Sequence, residues 1–323
     1  MRRGMAIMIA MAILFGIGMI ESGNRAATAK ENGDWRDQRL IAHAMGAIEG
    51  AKYTNSYEAF MSSYDKGYRL FEVDLVLTSD GQLAARHDWK MDFQFGLAEK
   101  VGTALTLSQF KGDLILNKYR PLSFADIVGL MHRYPDIYVI TDTKETDPEK
   151  TSRQFEHMVR EANKIDSAIL DRIVPEIYTP DMYEAVMRVY PFPRKIYSLY
   201  LSNPSSANVI SFVKDKDFSA VAMPIYRSLL DPTLVPRLNG MGVKSYVHSV
   251  DNRVLMILLK WIGVYGFYTD LEASPARLLE GLKTANEEAR IVMLGIGISL
   301  VGYGILRMKR RTPRKKIMAK AER

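Results

Sequence analysis

The chain has 323 residues, long enough for one large α/β domain or two smaller ones, and its apolar (47%) and charged (25%) fractions are those of an ordinary folded protein. It has no cysteine, which excludes disulfides, a thiolate nucleophile and cysteine-ligated zinc. The formal net charge is +7, but Arg307 to Arg323 holds nine basic residues against one acidic. The body is therefore mildly acidic and no nucleic-acid partner is expected.

Arg2 and Arg3 precede an unbroken apolar run, Met5 to Ile20. As a helix it spans about 24 Å, slightly less than a ~30 Å hydrocarbon core. A signal peptide would need a small-residue cleavage site, and Ala27-Thr28-Ala29 lies well beyond the run, past Glu21 and Arg25. An uncleaved anchor is the preferred expectation. Ile291 to Leu306 is a second apolar run, bounded by Arg290 and Arg307. Basic residues favour the cytoplasmic side. The expected topology is a cell-membrane protein with both termini cytoplasmic and the domain between the runs outside. If the first run is cleaved and the second does not insert, the protein is secreted. The expected division is an anchor or signal peptide over 1–24, a folded domain over 35–288, a transmembrane helix over 289–307 and a basic cytoplasmic tail over 308–323.

Between the runs, strand-like and helix-like segments alternate. Strands are expected at Leu40–His43, Tyr68–Leu77, Leu83–His87, Ile137–Asp142, Ile173–Ile177, Lys195–Leu201, Ser219–Pro224, Val243–Ser249 and Gly266–Thr269. Helices are expected at Ser56–Lys66, Ser123–Arg133, Lys150–Lys164, Pro180–Val189, Asn203–Lys214, Asp231–Leu238, Asn252–Ile262 and Ser274–Glu287. About eight βα units over some 250 residues predict a TIM (β/α)8 barrel, here with N-terminal and C-terminal transmembrane helices. Ser79-Asp80-Gly81 reads as a turn, so Leu83–His87 is expected to hairpin onto Tyr68–Leu77. Residues 88–122 lack periodicity and are assigned to a lid or insertion.

The stretch Ile41–Trp89 holds the candidate chemistry. Side chains alternate along Leu70–Val76, so Glu72 and Asp74 share one face while Phe71, Val73 and Leu75 take the other. Two carboxylates on an otherwise apolar strand repel each other unless a cation lies between them, and oxygen donors of this kind suit Mg²⁺ or Ca²⁺. In Tyr138–Lys144, Asp142 and Lys144 again share a face where a strand ends; Asp142 is a natural third ligand and Lys144 a phosphate partner. Taken alone, that pair reads as a surface ion pair. His43 and His87 each close a strand and bracket the acidic pair. Near a metal, two imidazoles can serve as general base and general acid. His248 is a weaker candidate for the same pocket, and His132 and His157 have no assigned role. There is no nucleophile elbow, Walker loop or dinucleotide fingerprint.

The ordered set HAMG, TNS, GYRLFEVDLVLTSDGQLAARHDW, RPLSFADIVGLMHRYPDIYVITDTK, VKSYVHSVDN and GVYGFYTDL resembles the glycerophosphodiester phosphodiesterase family, within the phosphatidylinositol-phospholipase-C-like TIM barrels, over most of residues 40–275. The resemblance implies His43 and His87 as the acid/base pair. It implies one divalent ion on Glu72, Asp74 and Asp142, and phosphate contacts from Lys144, with Arg86 a second candidate. Two positions depart from the pattern. Ala44 stands where the family has a phosphate-binding Arg, and Asp142 is one methylene shorter than the usual Glu. Both departures resemble the sphingomyelinase D branch, although that branch's cysteine-containing loop is absent. The expected function is metal-dependent hydrolysis of glycerophosphodiesters or lipid-derived phosphodiesters at a membrane. The alternatives are a phospholipase of the C or D type and a non-catalytic phosphodiester-binding barrel.

Overall fold

The computed structural model describes residues 34–90 and 102–288. Both apolar runs and the basic tail lie outside the described residues. Among the described residues, no helix is long and apolar enough to cross a membrane. Glu31–Glu280 forms one compact unit.

Among the described residues there are nine strands: β1 (Leu40–Ala42), β2 (Leu70–Leu77), β3 (Leu83–Ala85), β4 (Tyr138–Asp142), β5 (Ile173–Ile177), β6 (Ile196–Ser198), β7 (Ala220–Pro224), β8 (Lys244–His248) and β9 (Gly266–Thr269). All but β3 are parallel neighbours in the order β1-β2-β4-β5-β6-β7-β8-β9. The ring closes where β1 pairs with β2 on one side (Ala42 opposite Phe71) and with β9 on the other (Leu40 opposite Phe267). This is the predicted eight-stranded barrel. β3 stands outside the ring and pairs antiparallel with the end of β2, Leu75 opposite Ala85. It is the predicted hairpin.

The helices are α1 (Tyr57–Asp65), α2 (Leu107–Gly112), α3 (Phe124–Arg133), α4 (Pro148–Ile165), α5 (Pro180–Val189), α6 (Ser206–Asp215), α7 (Ile225–Leu230), α8 (Leu234–Gly240) and α9 (Arg253–Trp261), followed by a last helix over 275–288. Their starts follow local chemistry. Ser123 and Asp126 close a capping box on α3, and Asp147 and Thr179 cap α4 and α5 with proline in the first helical position. α2 falls in the stretch that lacked periodicity; its start is set by a capping box between Thr106 and Gln109. The described part of 88–122 thus contains a short helix, and residues 91–101 lie outside the described residues. α7 was not anticipated, because it begins directly at the end of β7 with no turn signal between them.

The barrel interior is filled from its N-terminal end. Leu70 packs there with Ile41, Ile140, Val174, Ile196 and Tyr246, and Trp35, which precedes β1, joins the same cluster. Along β2, alternation places Glu72 and Asp74 on the same side as Leu70 but nearer the C-terminal end. Phe71 faces outward and meets Phe60 of α1 with ring centroids 4.8 Å apart. The apolar layer therefore ends where the carboxylates begin.

Candidate active site

The C-terminal ends of the strands surround a cavity of about 300 Å³, lined by His43, Tyr53, Glu72, Asp74, His87, Asp142, Lys144, Glu176, Tyr178, Tyr200, Pro224, His248, Ser249 and Tyr268. Six of the seven residues singled out from the sequence as site residues are among them. A larger hollow of about 490 Å³ lies over α4 and α5. It has no histidine and no paired carboxylate, so it offers no comparable chemistry.

The acidic cluster spans two hydrogen-bonded strands, β2 and β4, with Asp74 directly opposite Asp142. Glu72, Asp74 and Asp142 bring one oxygen each to within 4.8 Å of one another. Glu72 is 2% exposed and Asp74 1%. The backbone N–H of Ala44 donates to Glu72 Oε2 at 2.6 Å, while Glu72 Oε1 is buried with no hydrogen-bond partner. Burial, followed by the charges of Asp74 and Asp142, pushes the Glu72 carboxyl well above its ordinary range. Burial also opposes ionisation of Asp74, but Lys144, His87 and His43 outweigh it and hold that carboxyl below its usual value. Asp74 is fixed by Asn55, whose Nδ2 donates to Oδ2 at 2.9 Å and whose Oδ1 accepts the Asp74 N–H at 3.0 Å.

Lys144 Nζ bridges Asp74 and Asp142, lying 2.6 Å from Asp142 Oδ2. Burial works against its charge, yet Asp142, Asp74 and Glu72 hold it well above the ordinary lysine value. It is the one Lys or Arg among the lining residues. The Tyr178 hydroxyl donates to the other oxygen of Asp142. An orphaned carboxylate oxygen beside two further carboxylates is a donor set that fits a hard divalent ion.

The histidines enter from other elements. His43 opens the turn after β1, and its Nδ1 lies 3.1 Å from Asp270 Oδ1, just past β9. Its Nε2 is 3.9 Å from Glu72 Oε2. His87 lies two residues beyond β3, with Nδ1 2.7 Å from Asp88 Oδ2. The Tyr53 ring stands edge-on between them, 4.8 Å from His43 and 5.9 Å from His87 by centroid. Each imidazole thus has a carboxylate on Nδ1, the pairing that orients a histidine for proton transfer through Nε2.

Arg86 is placed differently. It is 2% exposed and does not line the cavity; its Nε donates to the Asp88 carbonyl at 2.6 Å and its guanidinium lies 5.3 Å from the Trp89 ring centroid. Its side chain shapes the turn that carries His87, and its backbone N–H ties that turn to the Asp74 carbonyl at 3.0 Å.

Several lining residues had no assignment from the sequence. Glu176 on β5 is 4% exposed, and burial followed by the charge of Asp142 pushes its carboxyl up to about 8. The signal was available: Glu176 is a carboxylate on an otherwise apolar strand, as Glu72 and Asp74 are. His248 does line the cavity, with its ring between those of Tyr200 and Tyr268 at 5.4 and 5.5 Å. Its Nε2 is shielded from solvent and has no hydrogen-bond partner. Burial, with His43 and Lys144 nearby, lowers its pKa to about 3, so the ring is neutral at physiological pH.

The C-terminal mouth of the closed parallel barrel thus gathers three carboxylates, a lysine and two carboxylate-paired histidines, a set suited to acid/base chemistry on an anionic substrate. The model of the Glycerophosphoryl diester phosphodiesterase family matches residues 48–271. The chain belongs to that family. Among solved structures it is similar to a glycerophosphodiester phosphodiesterase from Parabacteroides distasonis (19% identity, 76% of this chain and 97% of that one, TM-score 0.63). It is also similar to an Oleispira antarctica phosphodiesterase in complex with the product sn-glycerol-3-phosphate (13%, 75% and 96%, TM-score 0.61) and to a glycerophosphodiester phosphodiesterase from Thermotoga maritima (18%, 74% and 97%, TM-score 0.56). No curated protein matches the chain.

Proposed function

We propose that the chain hydrolyses glycerophosphodiesters or lipid-derived phosphodiesters with one divalent ion, Mg²⁺ or Ca²⁺, and the pair His43 and His87. The observation that carries this reading is the convergence of both histidines and the three carboxylates on one cavity. Glu72, Asp74 and Asp142 would hold the ion. When bound, it supplies Lewis-acid polarisation of the phosphate and offsets developing negative charge. Lys144 adds a positive charge at the same end of the cavity. One histidine takes the proton of the attacking hydroxyl as its oxygen bonds to phosphorus; the other donates a proton to the leaving alcohol as the second P–O bond breaks. Asp270 and Asp88 keep the two rings oriented. The attacking hydroxyl is water or a neighbouring hydroxyl of the substrate, which would give a cyclic phosphate first. Release of a phosphomonoester such as sn-glycerol-3-phosphate is in keeping with the product held by the Oleispira antarctica protein.

The barrel is proposed to work outside the cell membrane, with both termini cytoplasmic. The support for this is the pair of apolar runs and the basic residues beside them. A reporter fused after Arg323 should read cytoplasmic, and an external signal would overturn the topology. For the chemistry, the full chain is assayed on glycerophosphocholine with and without chelator. Chelation should abolish turnover, and His43→Ala should lower kcat by about 10²–10⁴-fold. Undiminished turnover in either His43→Ala or Glu72→Ala would sink this site.

A further inference from the structure

Six of the ten exposed large apolar side chains among the described residues lie on one part of the barrel mouth: Tyr200, Leu201, Tyr226, Leu229, Leu230 and Val254, exposed by 44 to 81%. They sit on the segments that directly follow β6, β7 and β8, three adjacent strands. Tyr200 also lines the catalytic cavity, so this apolar rim is continuous with the site. Ile165 and Met241, by contrast, precede β5 and β8 and belong to the opposite end of the barrel.

The segments after β6 and β7 carry little charge, while the segment after β8 has Asp251 and Arg253 before Val254. No charged residue occurs from Leu199 to Val213, and Arg227 is the only one from Phe218 to Leu230. Arg227 is engaged within the protein: its guanidinium donates to Asn203 Oδ1 at 3.2 Å, the Pro204 carbonyl at 2.8 Å and Ser206 Oγ at 3.1 Å. Those bonds bind the β6–α6 loop to α7, so two segments present one surface. The two carboxylates at its edge are engaged within the protein, Asp231 by Ser206 and Asp251 by Lys52. Exposed leucines with flanking tyrosines form a composition suited to a membrane interface, where tyrosine is enriched. The sequence that flanks the barrel adds two apolar runs, Met5 to Ile20 and Ile291 to Leu306, each beside arginines.

We propose that this rim is a bilayer-docking surface, and that the substrate is a phosphodiester carried on an acyl chain, with the headgroup in the cavity and the chain still in lipid. The substrate part rests on the phosphodiesterase reading above; the docking part does not. Because the chain has no cysteine, Leu230→Cys gives the full-length protein a single site for an environment-sensitive fluorophore, with Ile165→Cys as the control. The labelled proteins are reconstituted into phosphatidylcholine–phosphatidylglycerol vesicles with or without bromine on the acyl chains. Bromine should quench the probe at position 230 and leave that at position 165 unchanged. A probe at 230 that bromine does not touch overturns the proposal. If iodide quenches it, the rim faces water; if neither does, another segment of this chain or a second copy covers it. A turnover arm compares lysophosphatidylcholine in vesicles with soluble glycerophosphocholine. Leu229→Asp with Leu230→Asp should slow the first by at least about tenfold and leave the second unchanged. Full turnover of the vesicle substrate by that variant counts against docking. Absence of turnover on both substrates by the unmodified chain strikes the phosphodiesterase reading and leaves the probe result standing.

Discussion

At Glu176 the site holds a carboxyl whose environment works against its charge. Its pKa is about 8 in the fold, against an ordinary 4.5. Between those values the folded protein carries a proton that the unfolded chain lacks, so stability falls as pH rises through the window. Glu72 acts in the same direction. His248 acts oppositely, but only below about 6.5, since its folded pKa is about 3. From pH 6.5 to 8.5 the buried acids therefore dominate. Thermal unfolding of the metal-free protein should occur at lower temperature at pH 8.5 than at pH 6.5, and Glu176→Gln should shrink that difference. An equal fall in the variant would show that Glu176 is ionised throughout. The Ala44 substitution also has a local reading. Its side chain is fully buried and does not line the cavity, and its backbone N–H is committed to Glu72. Lys144 is then the one Lys or Arg among the described residues that lines the cavity.

The segment between β1 and α1 is the element on which the site's precision depends. Ala44, Met45, Gly46, Glu49, Gly50, Tyr53 and Asn55 all have positive φ. That backbone winds tightly enough to bring His43, Tyr53 and Asn55 to one place. Gly46 is the tightest point: φ is +98°, and an added Cβ would lie 2.0 Å from Ser63 Oγ on α1. Gly46→Ala should destabilise the fold by roughly 1–3 kcal/mol from backbone strain alone, measured by denaturant unfolding. It should also lower kcat by moving His43. Adding Ser63→Gly relieves the clash but not the strain, so recovery should be partial. None of this winding was legible in the sequence, because most of these residues are not the glycines that announce it. The β2 and β4 contribution was legible, since strand alternation alone puts Glu72 with Asp74 on one face; Lys144 lies past the end of β4 at positive φ, and its Nζ still reaches Asp74 and Asp142. The strand ends were read slightly long at His43 and His87; in both places the chain turns so that the imidazole can reach the cavity. Asp270 was missed because its partner His43 is 227 residues away in the chain. Arg86, expected as a second phosphate contact, is not among the cavity lining and bonds the turn that carries His87.

Across the whole molecule, the eight βα units were readable because most helix starts carry a capping side chain, those of α7 and α8 excepted, and each strand has its own apolar run. The barrel's closure through β1 and β2 follows from that count rather than from any single motif. The same closure would let one bound ion stabilise the whole domain, since the three carboxylates proposed to hold it lie on two paired strands of the ring. At a hundredfold excess over Kd, a divalent ion should add about 2.7 kcal/mol. For a domain of this size that raises Tm by about 5–10 °C. A Tm unmoved by Mg²⁺ and by Ca²⁺ would mean that the carboxylate cluster answers only to Lys144.

The position of β3 outside the closed ring divides the site into parts of unequal durability. The carboxylates belong to strands that can open only with the barrel. His87 hangs from a three-residue strand paired on one edge to β2 and pinned on the other by the Ala85 N–H bond to the Leu122 carbonyl. A sub-global opening of that hairpin would remove one proton-transfer partner while the cation remained bound. Amide hydrogen exchange should then find Leu83–Ala85 exchanging well before Leu70–Asp74. The enzyme would pass through a state that holds its ion but cannot turn over, and its thermal inactivation would precede its unfolding.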